Sequence, residues 1–180
     1  MVVLFLAAGF EEIEALATVD VLRRADIDVC TVGIGGRTVV GAHGITVVAD
    51  VADSDWEPFT EVDAVVLPGG MPGTLNLEGS LSVRETVEHA AENGALLCAI
   101  CAAPSVLGKW GLLRGRSATC YPGFEEYLLG ASVKDAAVVA DGTVITSRGA
   151  GVALEFGFAI VGHLVSAEKA DELRAAMQCR

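Results

Sequence analysis

The sequence predicts an α/β protein, a three-layer sandwich whose mostly parallel sheet is covered by helices on both faces. Three observations carry that prediction. Short β-branched and apolar runs alternate along the chain with segments in which apolar residues recur at helical spacing. Several of the connections between runs are ten or more residues long and helical in pattern, which joins parallel rather than antiparallel neighbours. The runs themselves lack polar alternation, as expected of strands buried on both sides.

Taken in order, Val2–Ala8 reads as a strand closed by Gly9, and Glu11–Ala25 as a helix with Ile13, Leu16, Val19, Val21 and Leu22 at helical positions. Asp28–Ile34 is a second strand. Thr38–Val40 and Ile45–Ala49 form a hairpin around Gly41 and Gly44, and Asp63–Leu67 is a buried strand stopped by Pro68-Gly69-Gly70. Ser80–Asn93 is a helix, Ala95–Ile100 the next strand, and Ala102–Trp110 a helix. Ala136–Val139 and Val144–Ser147 pair across Asp141-Gly142. Gly151–Val165 and Ala167–Met177 close the chain as helices. No repeat, low-complexity tract or Ser/Pro-rich linker interrupts the pattern, so residues 1–180 are expected to form one domain.

Composition narrows the function classes. A chain of 180 residues with 52% hydrophobic and 20% charged side chains buries a full core and is neither disordered nor coiled coil. Its net charge of −12 opposes nucleic acid and anionic lipid as partners. Five cysteines, an odd number in a chain that does not need staples, point to a reduced, cytoplasmic setting. The apolar start Met1–Ala8 has no basic flank and runs straight into Glu11 and Glu12, so it is read as a strand rather than a signal peptide. Ala95–Gly108 is too short to span a bilayer.

In open parallel sheets, ligands bind beyond the carboxyl ends of the strands. Gly9–Glu14, Pro68–Gly70, and Cys101 with Ala102 all follow strands and should share one rim. Cys101 sits between a buried strand and a helix, in the strand-turn-helix setting that exposes a nucleophile, and a helix start facing its sulfur would lower the thiol pKa. The competing reading is a buried structural thiol. Glu11 and Glu14 share a helix face with Glu12 rotated away, which makes Glu14 a candidate acid–base group or simply part of a solvated acidic helix start. Gly69 and Gly70 are placed to aim amides at an oxyanion over Cys101, or to make a plain tight turn. Cys98 and Cys101 form a C-x-x-C pair, but Cys98 should lie inside the strand and no second pair completes a zinc site. Gly33-Ile34-Gly35-Gly36 lacks phosphate-loop spacing, and neither G-x-x-x-x-G-K nor H-E-x-x-H occurs, so no metal or other cofactor is expected. His43 lies in the hairpin turn, while His89 and His163 fall within helices.

Taken together, Ala8-Gly9-Phe10-Glu11-Glu12-Ile13-Glu14, Val19–Ala25, Leu67-Pro68-Gly69-Gly70, Ala99-Ile100-Cys101-Ala102-Ala103-Pro104 and Thr146-Ser147-Arg148-Gly149 resemble the ThiJ/PfpI superfamily and, within it, the DJ-one branch. The segments are in family order and cover nearly the whole chain. The resemblance implies a flavodoxin-like, class I glutamine amidotransferase-like fold, Cys101 as the reactive cysteine and Glu14 as its proton-shuttling partner. It also implies that Gly69, Gly70 and Ala102 cradle an oxyanion, that His43 stands where the branch often has an arginine reaching from a dimer mate, and that the protein is a homodimer. Two segments depart from the family pattern. Tyr121, in Thr119-Cys120-Tyr121-Pro122, replaces an active-site histidine, and a phenol of pKa about 10 is a poor base at neutral pH. Arg148-Gly149-Ala150-Gly151-Val152 replaces a stretch with a rigid proline and a hydroxyl, altering the neighbourhood of the expected pocket.

The function this implies is a glutathione-independent glyoxalase or deglycase in which Cys101 attacks a small 2-oxoaldehyde, such as methylglyoxal, or an early glycation adduct. The alternative is an oxidative-stress sensor or chaperone working through oxidation of Cys101.

Overall fold

The computed structural model describes residues 1–179. The chain opens with β1 (Val2–Leu6), α1 (Glu12–Arg24), β2 (Val29–Gly33) and the strands β3 (Thr38–Val40), β4 (Thr46–Val48) and β5 (Val51–Ala52). It continues through β6 (Ala64–Leu67), α2 (Gly73–Glu78), α3 (Leu81–Glu92), β7 (Leu96–Ile100) and α4 (Pro104–Lys109). The last third holds β8 (Ser117–Ala118), β9 (Ser132–Val133), β10 (Val138–Asp141), β11 (Val144–Ser147), α5 (Ala153–Leu164) and α6 (Ala167–Ala176).

The seven-stranded main sheet has the order β10-β11-β7-β6-β1-β2-β5, parallel throughout except for the edge pair β10–β11. Side chains alternate across a strand, so an entirely apolar β1 must fill two cores. Val2, Leu4 and Leu6 pack with α1 and α5 on one face. Val3, Phe5 and Ala7 pack with Trp56 and α3 on the other. This is the expected α/β sandwich with a parallel core. β3 and β4 pair antiparallel as the predicted hairpin, in a small sheet of their own.

The order reverses at β1: the chain next adds β2 on one side and later β6 on the other. At such a switch point the loops beyond the two strands part and leave a crevice at their carboxyl ends. The rim there is stitched by backbone bonds from Glu11 N to Gly69 O (2.9 Å) and from Gly73 N to Gly9 O (3.2 Å). The predicted rim therefore forms.

α1 differs from its predicted amphipathicity in an informative way. Val19, Val21 and Leu22 are buried as expected, but Ile13 and Leu16 are exposed while Glu12 and Glu14 are buried. The first turn is thus inverted, acid inward and apolar outward. α2, β5, β8 and β9 had no distinct sequence signal; each is two to six residues long, too short for periodicity to develop.

Candidate active site

Cys101 follows β7 directly and has φ +64, a left-handed conformation that a non-glycine residue adopts only where the surroundings hold it. Those surroundings are two backbone bonds: its N–H donates to Ser147 O (2.8 Å) and its carbonyl accepts from Tyr121 N (2.7 Å). The result is a sharp strand-to-turn elbow with a partly buried thiol. The predicted helix after it starts later and is shorter than expected. α4 begins at Pro104 and spans six residues, so single amides of Ala102 and Gly70, rather than a helix end, reach the sulfur.

Glu14 reaches the same point from the first turn of α1 and is 1% exposed. Its Oε2 accepts from Gly69 N at 2.8 Å, while its Oε1 is buried without a hydrogen-bond partner. A Cβ built on Gly69 would lie 2.6 Å from Cys101 Cβ and 2.7 Å from Glu14 Oε2, so only glycine lets the three groups converge.

The ionisation of this pair departs from expectation. Burial raises the Glu14 carboxyl to about 7, against the lowering pull of the Gly69 amide and the Cys101 thiol. Burial, followed by the charge of Glu14, pushes the Cys101 thiol up to about 12 despite the Ala102 and Gly70 amides. The expected simple lowering of the thiol pKa is overturned. Two adjacent acids in a dry site do not both ionise, and at neutral pH the pair holds one proton between carboxyl and sulfur.

The structure brings Cys101, Glu14, Gly69, Gly70 and Ala102 together, and places the other candidates around them. His43 stands on the β3–β4 turn, exposed, with Nδ1 2.9 Å from Glu12 Oε2 and 3.6 Å from Glu11 Oε2. Its ionic partners in this chain are therefore α1 carboxylates, and the Glu12 hydrogen bond raises its pKa. Tyr121 gives its amide to Cys101, and its half-exposed ring lies along Gly149. Arg148 is half-exposed, 3.7 Å from Asp135. Cys98 lies within β7, buried in the core as expected, and burial drives its pKa well up.

The residue the sequence reasoning underrated is Glu12. Its carboxylate accepts from the amides of His43 (2.8 Å) and Ile45 (3.3 Å) as well as from the His43 ring, clamping the hairpin to α1. Burial opposes the charge, but the His43 ring and these amides outweigh it and hold the pKa down at about 2. Glu11, Glu12 and His43 each offer one ligand atom within 4.8 Å of the others, yet both Glu12 oxygens are already occupied. A carboxyl whose folded pKa is depressed stabilises above its unfolded value and loses that contribution as pH falls through the folded one. Glu12→Gln is expected to lower stability at pH 7 by about 1–3 kcal/mol, read from urea midpoints, with the deficit shrinking between pH 4.5 and 2. A pH-independent deficit would argue against the carboxylate clamp.

The fold and the elbow define a class: a doubly wound α/β protein with a cysteine nucleophile elbow and a buried carboxyl partner. Residues 1–163 match the DJ-1/PfpI family, and the chain belongs to that family. It is 40% identical to Protein DJ-1 homolog A of Arabidopsis thaliana over 179 residues, 97% of this chain but 45% of that protein, so it spans less than half of that relative's length. It is 36% identical over 165 residues to a Caenorhabditis elegans protein named Glutathione-independent glyoxalase DJR-1.2, covering 91% of this chain and 87% of that one. Among solved structures, oxidized Toxoplasma gondii DJ-1 superposes with a TM-score of 0.94 at 31% identity, covering 98% of this chain and 97% of that one. Among the described residues, no helix is long and apolar enough to cross a membrane.

Proposed function

We propose that this protein is a glutathione-independent glyoxalase, active on 2-oxoaldehydes such as methylglyoxal and on early glycation adducts that present the same carbonyl. The observation that carries the reading is the buried Glu14 carboxyl, poised near pH 7 against a cysteine held at the elbow. A relative named as a glyoxalase supports it.

In the proposed reaction the Cys101 sulfur adds to the aldehyde carbon, and the pair's shared proton goes to the carbonyl oxygen, giving a hemithioacetal. The Glu14 carboxylate then takes the C1 hydrogen as a proton and returns it to C2 by way of an enediol. This leaves C1 as a thioester and C2 as a secondary alcohol, an internal oxidation and reduction that needs no external electron carrier. Water cleaves the thioester, releasing a 2-hydroxy acid and restoring the thiol. The Gly70 and Ala102 amides are placed to receive the oxygen charge that develops over the sulfur.

Proton NMR of methylglyoxal with catalytic amounts of the reduced protein, free of glutathione, tests the reading. Lactate is expected from the wild type and none from Cys101→Ser. The active form is the singly protonated pair, so kcat/KM is expected to climb up to tenfold per unit below about pH 7 and to level above it. Lactate formation that survives Cys101→Ser would end the proposal.

A second reading, a redox sensor, is favoured by the same carboxyl: while protonated it can donate a hydrogen bond to a Cys101 sulfinate formed by peroxide. Addition of two oxygens at Cys101, seen by intact mass, in a protein that makes no lactate would select it. We also propose that the outward apolar turn of α1, Ile13 and Leu16, together with Leu154 of α5, pairs with a second copy of the chain, as the family resemblance implies. Light scattering is expected to show a dimer that Leu16→Glu dissociates; a monomeric wild type would refute it.

A further inference from the structure

A cavity of about 740 Å³ lies beside the elbow, walled by the Thr119–Pro122 turn, the end of β9 and the Arg148–Val152 segment. Cys101 is bonded to both flanking walls, through Tyr121 N and through Ser147 O, the residue before Arg148. The positions at which the chain departs from the family pattern, Tyr121, Ala150 and Val152, all line this one space. A proline and a histidine have given way to a smaller residue and a phenol, and the departures coincide with the cavity rather than scattering over the surface.

The volume is informative about the substrate. Cavities of about 300–1,000 Å³ accommodate drug-sized ligands. Methylglyoxal, with five heavy atoms, would leave this one almost entirely to water. The charges are informative too. Lys134 forms no ion pair among the described residues, and Arg148 has only Asp135, 3.7 Å away and with a fully exposed side chain, a pairing that solvent screens. Of the acids in the lining, Asp135 extends into solvent and Glu125 is held by the Gly123 amide at 2.7 Å. In a chain of net charge −12, two available cations beside one aromatic wall make a local exception.

We propose that this cavity is the specificity pocket of the Cys101 site and takes the body of an anionic carbonyl substrate, with Lys134 and Arg148 receiving its carboxylate or phosphate and Tyr121 covering its apolar middle. A planar guanidinium matches either anion through paired hydrogen bonds. The inference rests on the glyoxalase reading for the reacting end of the substrate, but the pocket's preference for an anion is measurable without turnover.

Ligand-observed NMR on Cys101→Ser would therefore compare acetophenone with 4-acetylbenzoate and 4-acetylphenyl phosphate, inert ketones differing in the charged group. At least one anionic ketone is expected to bind about tenfold more tightly than acetophenone, and which one does identifies the anion. Arg148→Ala, with Lys134→Ala added if needed, is expected to erase the difference, and Arg148→Glu to reverse it. On the wild type, kcat/KM is expected to favour 4-carboxyphenylglyoxal over phenylglyoxal by about tenfold through KM if carboxylate is the anion. Equal binding of all three ketones, or a preference that survives loss of both cations, would overturn the pocket assignment even in an active enzyme. Anion-selective binding without turnover of either glyoxal would support the pocket and remove the glyoxalase reading.

Discussion

Glu14→Gln is expected to slow lactate formation by about 10²–10⁴-fold while making the protein more resistant to urea at pH 8. The two effects have one cause. Glutamine keeps the shape of the side chain, and its carbonyl can still accept from Gly69 N, which now bonds to Oε2 at 2.8 Å. What is lost is the group that takes and returns a proton. The stability change follows from linkage. Burial raises the folded-state pKa from 4.5 to about 7, so the native protein binds more protons than the unfolded chain between those values. Whatever this carboxyl contributes is fully present below 4.5 and is lost as pH rises through 7. By pH 8 the wild type carries the cost of a buried anion, up to about 3 kcal/mol, which the neutral amide avoids. Urea midpoints measured from pH 4 to 8 should fall across that range for the wild type and stay flatter for the variant. A variant that is both active and no more stable at pH 8 would show that Glu14 neither carries the proton nor bears the cost of burial.

Such a trade of stability for activity marks a site the fold is strained to hold. Glu14 and Cys101 also show where sequence reasoning succeeds and where it stops. Cys101 was legible because it follows a wholly apolar strand, and such a strand can only be a covered one whose end opens on the rim. The parallel sheet, its principal helices and the convergence of three strand-end loops were legible for the same reason: they depend on period and on burial. The β3–β4 hairpin was signalled by its glycines.

The thiol's ionisation was not legible. A helix start after Cys101 argued for a lowered pKa, but that depends on how far the helix stands from the sulfur and on what else lies beside it. α4 starts three residues on, and a buried carboxyl from a residue 87 positions earlier in the chain sets the local charge. Glu12 was missed on similar grounds. Three glutamates within four positions look like one acidic helix start, and spacing alone gives no reason for Glu12 to turn inward to a hairpin some thirty residues ahead. The cavity walled by Tyr121, Lys134 and Arg148 assembles from segments without strong periodicity. The sequence offered only its departures from the family pattern as a sign that the region differs.

Gly69→Ala is the smallest change expected to disable the site, and its effect is separable from backbone conformation. Gly70, with φ +88, requires glycine for its dihedral, so any substitution there would confound geometry with strain. Gly69 has no such φ, and alanine is conformationally acceptable. The obstacle is space, because the added methyl falls 2.6 Å from Cys101 Cβ, 2.7 Å from Glu14 Oε2 and 3.0 Å from Ile100 O. None of these is the free end of a long side chain. Cys101 is fixed by two backbone bonds, Glu14 by the very amide that Gly69 donates, and Ile100 by the sheet. The methyl must therefore push the thiol and the carboxyl apart. A displacement of about 1 Å costs on the order of 10²-fold in rate, so turnover should fall at least that far, with about 1–3 kcal/mol lost in stability from overpacking. Gly79→Ala provides the comparison, since its methyl would meet nothing closer than 3.4 Å and its backbone is likewise permissive. Stopped-time alkylation by iodoacetamide adds a readout of the thiol itself: in Gly69→Ala, Cys101 should react with a pH profile no longer shaped by Glu14, whereas Gly79→Ala should reproduce the wild type. Wild-type turnover in Gly69→Ala would mean that the close approach of Cys101, Glu14 and Gly69 has no part in catalysis.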